Sequence, residues 1–83
     1  MNGTDRIYEE LKTAICEVMA DLDPGLVNRS ESLRNLGTNS VDRAMILMQT
    51  MEGLGVRLPM IEFAQAQNIE DIISIFEQAA EKA

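Results

Sequence analysis

The chain contains no histidine and no tryptophan, and only one cysteine, Cys16. Without histidine there is no imidazole to act as base for a serine nucleophile, and no Ser-Lys spacing or nucleophile elbow replaces it. Catalysis by this chain alone is therefore not expected. A lone cysteine rules out an intramolecular disulfide, which suits a reducing, cytoplasmic setting. With no histidine and no second cysteine nothing favours zinc, and the acids near Asp21 and Asp23 lack the spacing of a calcium loop, so no metal is expected. Long apolar runs are also missing. No stretch approaches the ~20 apolar residues of a membrane span, and the start, MNGTDRIYEE, lacks the basic and apolar regions of a signal peptide.

Positive charge is scarce: seven Lys and Arg stand against 14 Asp and Glu, a net charge of -7. That balance argues against nucleic acid and anionic membranes as partners. The two flanks hold most of the acid: six acids against two bases in residues 1–25, five against one in 58–83. The middle, 26–57, instead places Arg29, Arg34, Arg43 and Arg57 against Glu31, Asp42 and Glu52. We read the acidic flanks as solvated helix faces that aid solubility.

What is present is helical periodicity. Ile7, Leu11, Ala14, Ile15, Val18, Met19 and Leu22 recur at three- and four-residue spacing, and the DPG at 23–25 ends that first helix. An irregular loop follows to Thr38, with Leu26, Val27, Leu33 and Leu36 as expected core anchors. A second helix is predicted from Asn39 or Ser40 to about Leu54. Asn39 is its N-cap, with Asp42 three residues on as the reciprocal partner. Pro59 precedes a short third helix in MIEFAQAQ. Asn68 and Asp71 cap a last helix whose inward stripe is Ile69, Ile72, Ile73, Phe76, Ala79 and Ala80. No alternating strand pattern, repeat or low-complexity stretch occurs. The expected fold is all-α, one domain over 1–83, with three main helices, a short third helix and a long first loop. Cys16 reads as a small packing residue.

The second helix is apolar on two sides. At about 100° per residue, Ile46, Leu47, Thr50 and Leu54 form the core stripe, while Val41, Ala44, Met45, Met48 and Met51 line the adjoining face beside Ser40. These methionines are either core filler or an exposed contact surface, for which their adaptable side chains are suited. Ser40 is either a plain helix-start residue or an acceptor of a phosphate ester, which unpaired backbone N–H groups and the positive helix end stabilise.

The run LGTNSVDRAMILM resembles the attachment motif of acyl carrier proteins, Leu-Gly-x-Asp-Ser-Leu/Val at the start of the second helix, and the resemblance extends over the whole chain. It implies a four-helix bundle whose serine receives 4'-phosphopantetheine from coenzyme A by the action of a phosphopantetheinyl transferase. The thiol of that arm then carries acyl groups as thioesters between enzymes. Ser40 matches the modified serine, Leu36 and Gly37 the lead-in. Val41, Ala44 and Met48 match positions that touch partner enzymes. Asn39 stands where the motif has Asp. Met45, Met51, Gly53, Gly55 and Arg57 occupy positions often acidic in fatty-acid carriers, so docking is expected to rest on the methionine face with Arg43 and Arg57. NSVDRA is similar to free-standing donor carriers of bacterial polyketide β-branching cassettes. The partners implied are an acyl-loading enzyme, a synthase resembling hydroxymethylglutaryl-CoA synthase, and other polyketide enzymes, with acetyl as cargo. A start at methionine and an end without a linker fit a stand-alone protein, with a domain excised from a larger synthase as the alternative; a monomer is expected. A fatty-acid-type carrier, a peptidyl carrier (against which GTNS lacks the usual second glycine) and an unmodified helical interaction module remain as alternatives.

Overall fold

A computed structural model describes residues 3–82; Met1, Asn2 and Ala83, at which the expected domain begins and ends, lie outside the described residues. Three α-helices account for most of the described chain: α1 (Gly3–Val18), α2 (Ser40–Leu54) and α3 (Ile69–Lys82), with 3₁₀ turns at Pro24–Leu26 and Met60–Phe63. No strand occurs among the described residues.

Each helix forms for reasons visible in its ends and its stripe. α1 buries Ile7, Leu11, Ala14 and Ile15, which recur on one face. It ends at Val18, earlier than the DPG turn suggested, and Met19 and Leu22 continue in a turn that remains half-buried. Asp23 then caps the first 3₁₀ turn by accepting from Gly25 N–H at 2.9 Å. α2 begins with the expected capping box: Asp42 N–H donates to Asn39 Oδ1 at 2.8 Å, and Asn39 N–H donates to Asp42 Oδ2 at 3.2 Å. Its end is set by Gly55, which is left-handed at φ 70° and donates to the carbonyls of Met51 and Glu52. A side chain there would be strained.

The core gathers Leu11, Ile15, Ile46, Ile73 and Phe76, each fully enclosed. Each such side chain contributes roughly 1.5–3 kcal/mol of burial free energy. Phe63 and Phe76 meet with ring centroids 5.0 Å apart, tilted by 49°. α1 is the central element, and both other helices pack on it; α2 and α3 approach each other little, and the Met60–Phe63 turn packs against α3. That separation opens the space described below.

The first loop is ordered by its own bonds. Glu31 O accepts from Ile69 N–H and Arg29 O from Glu70 N–H, both at 2.8 Å, so the loop supplies acceptors to the first turn of α3. Residues 32–37 wind into a turn that ends at Gly37, φ 94°, and Thr38 Oγ1 donates to Leu33 O at 2.8 Å.

Three expectations are corrected here. Val27, Leu33 and Leu36 anchor the loop, but Leu26 is half exposed on the 3₁₀ turn. On α3, Ala79 is half-buried and Ala80 faces outward, beyond the end of the stripe closed by Phe76. The short third helix is a single 3₁₀ turn of four residues, because only Phe63 in it finds the core while Met60 and Ile61 stay outside.

Candidate functional site

Ser40 is the first residue of α2 and is exposed. The capping box occupies the N–H groups of Asn39 and Asp42. Those of Ser40 and Val41 have no hydrogen-bond partner among the described residues. The helix therefore presents free donors and its positive end next to an open hydroxyl, the surroundings that favour a phosphate ester.

Beside Ser40 lies a groove of about 610 Å³ between α2, the Met60–Phe63 turn and the start of α3. Leu33, Leu47, Phe63 and Ile72 supply its apolar lining, and Arg34 and Arg43 are the cations among its lining residues. Arg43 is half-buried and donates from Nη1 to Thr38 O at 3.2 Å, which holds its guanidinium close to the start of α2. An acceptor hydroxyl open to solvent, the Arg43 guanidinium near it and an apolar trough fit a phosphate-linked, flexible organic arm.

The outward face of α2 is apolar. Val41, Met45 and Met48 are exposed, Met48 by 57%, and Met60 and Ile61 on the 3₁₀ turn are exposed as well, Ile61 by 78%. Among the described residues, five of the six exposed large hydrophobic residues thus belong to α2 and this neighbouring turn. A second groove of about 740 Å³ runs between Met45, Met48 and Met60 and the 55–58 segment, with Glu52 and Arg57 among its lining residues. Ala44 is half-buried and faces the first groove rather than the second.

Met51 departs from expectation. It is only 8% exposed, so it is not an outer contact. Its sulfur accepts from Leu58 N–H at 3.5 Å and its carbonyl from Val56 N–H at 3.1 Å, because the left-handed Gly55 folds the following chain back over it. Met51 is the floor beneath the methionine face. Met60, Ile61, Arg34 and Gln49 were missed in the sequence. Periodicity within α2 carries no information about which loop residues come to lie beside it.

Among the described residues no cluster of three potential metal ligands occurs, and no helix is long and apolar enough to cross a membrane.

Comparison with known proteins gives the family. The family model described as "Phosphopantetheine attachment site" matches residues 9–76. The chain is 36% identical over 78 residues to the polyketide biosynthesis acyl-carrier-protein AcpK of Bacillus subtilis (strain 168), covering 94% of this chain and 95% of that relative. No solved structure matches the chain. The chain belongs to the phosphopantetheine attachment family: it is an acyl carrier protein, a non-catalytic carrier with a covalent 4'-phosphopantetheine.

Proposed function

We propose that Ser40 is the attachment residue, within a single carrier domain, and that the protein serves polyketide biosynthesis as a donor carrier for β-branching. The observation that carries the attachment is the position of an exposed hydroxyl at the first residue of α2, at the mouth of a groove suited to the arm. The polyketide setting is supported by the similarity to the Bacillus subtilis carrier. The narrower donor role is supported by the NSVDRA run.

When bound, the arm supplies a terminal thiol on which acyl groups, here acetyl, travel as thioesters. The chain's own residues do three things. Asn39 and Asp42 hold the start of α2 so that Ser40 Oγ faces the phosphopantetheinyl transferase. The trough of Leu47, Phe63 and Ile72 offers the arm an apolar rest. Val41, Met45 and Met48, with Ala44, Arg43 and Arg57 at the edges, receive the partners: an acyl-loading enzyme, a synthase resembling hydroxymethylglutaryl-CoA synthase and other polyketide enzymes. Such partners, and the lone reduced cysteine, support a cytoplasmic location.

Intact mass after incubation with coenzyme A and a broad-specificity phosphopantetheinyl transferase tests the attachment. The wild type gains one phosphopantetheine and Ser40→Ala gains none; an equal gain in the variant moves the attachment elsewhere. The acetylated form is then a substrate for a synthase of the hydroxymethylglutaryl type. Efficient service in ordinary fatty-acid elongation instead overturns the donor role and leaves the attachment standing.

A further inference from the structure

Arg43 is held in a way that its role in the fold does not exhaust. The four arginines of the middle segment are used differently. Arg29 is committed to Asp5 at 3.0 Å and Glu70 at 3.3 Å, away from Ser40. Arg57 lines the second groove. Arg43 and Arg34 line the first groove together with Ser40. Of that pair, Arg43 is half-buried and tethered: Nη1 donates to Thr38 O, two residues before Ser40, at 3.2 Å. It has no carboxylate partner among the described residues; the neighbouring Asp42 carboxylate accepts Asn39 N–H through Oδ2 and makes no ion pair with Arg43. Arg43 also stands three residues after Ser40 on α2, the spacing that puts two side chains on the same helix face. A guanidinium carries five donors, and one carbonyl uses only one of them.

Resting on the Ser40 reading, we propose that Arg43 is a positioning residue for the arm. Its guanidinium donates to the phosphodiester oxygens on Ser40 Oγ and turns the beginning of the arm toward the groove of Leu47 and Phe63. The chemistry favours this. The diester carries one negative charge, and a guanidinium meets phosphate oxygens through charge-assisted bonds in a fixed fork. Because Arg43 is already half withdrawn from water and oriented by Thr38, little side-chain freedom is lost when it takes the phosphate. The free N–H groups of Ser40 and Val41 act on the same charge.

The test is a four-way comparison of apo and phosphopantetheinylated protein, wild type and Arg43→Gln, each form verified by intact mass and by circular dichroism. A residue with only a structural role lowers the melting temperature of apo and loaded forms equally. A residue that holds the phosphate acts on the loaded form alone. The expected result at low salt is a loaded wild type melting roughly 2–6 °C above its apo form. That gain falls by half or more in Arg43→Gln, and the phosphodiester ³¹P line narrows. Arg43→Lys, which keeps the charge without the fork, should fall between the two and provides the comparison if the glutamine variant does not fold. An unchanged gain and ³¹P line width in the variants overturns the proposal while leaving attachment intact. Absence of any mass gain in the wild type removes the attachment reading, and this proposal with it.

Discussion

Gln49 lies on α2 among the lining residues of the second groove, and its Oε1 is enclosed without a hydrogen-bond partner among the described residues. An enclosed acceptor left unbonded costs on the order of 1–3 kcal/mol, whereas an apolar side chain of similar length carries no such penalty. Gln49→Met should therefore raise stability by up to about 1 kcal/mol in urea denaturation. A loss of stability would mean that the amide has a partner after all. Other residues illustrate how local chemistry was legible. Asn39 and Asp42 announced a capping box because cap and N3 positions are read over three residues of sequence. Met48 and Met51 were not distinguishable on the same basis. They share residue type and helix, yet one is exposed and the other lies under the 55–58 segment.

At the scale of the element, α2 does two jobs with opposite faces. Ile46, Leu47 and Thr50 face the core, Thr50 satisfying its hydroxyl on Ile46 O at 2.7 Å. Val41, Met45 and Met48 face out. An apolar strip on a chain of net charge -7 is a contact that does not depend on charge attraction, and a carboxylate placed in it must be desolvated when a partner lands. Met48→Glu is expected to reduce kcat/KM for phosphopantetheine transfer about tenfold or more, with helix content by circular dichroism unchanged. An unfolded variant would return Met48 to the core and remove the two-faced reading. The 60–63 segment illustrates the limit of reading elements singly. Its apolar letters suggested a helix, but with one core anchor and Pro59 at its start it forms only a 3₁₀ turn.

For the whole molecule, Arg29 ties distant parts together. Its guanidinium reaches Asp5 on α1 and Glu70 on α3, and its Cζ stands 5.1 Å from the Tyr8 ring centroid. The Tyr8 hydroxyl in turn donates to Val27 O in the first loop. The pairs are partly exposed and individually weak, but together they close the loop against both acidic flanks. Arg29→Ala should cost about 1–2 kcal/mol in chemical denaturation. The loss should be smaller in 1 M salt, where screening extends over only about 3 Å. A loss unaffected by salt would assign the effect to packing of the side-chain stem instead. The consequence for function is a charge map: once Arg29 is spent internally, the cations left beside Ser40 and the methionine face are Arg34, Arg43 and Arg57.

The three main helices, the capped start of α2, most of each core stripe and the carrier motif were determined by the sequence alone, because caps, breakers and three- or four-residue spacings act over a few neighbouring positions. The tertiary structure decided what depends on separate segments meeting. Met51 is buried because Gly55 turns the chain back over it, Leu26 is outside because its turn carries it off the core, and the groove beside Ser40 exists because α2 and α3 pack on α1 rather than on each other. Distances along a chain do not encode such meetings; packing among elements does.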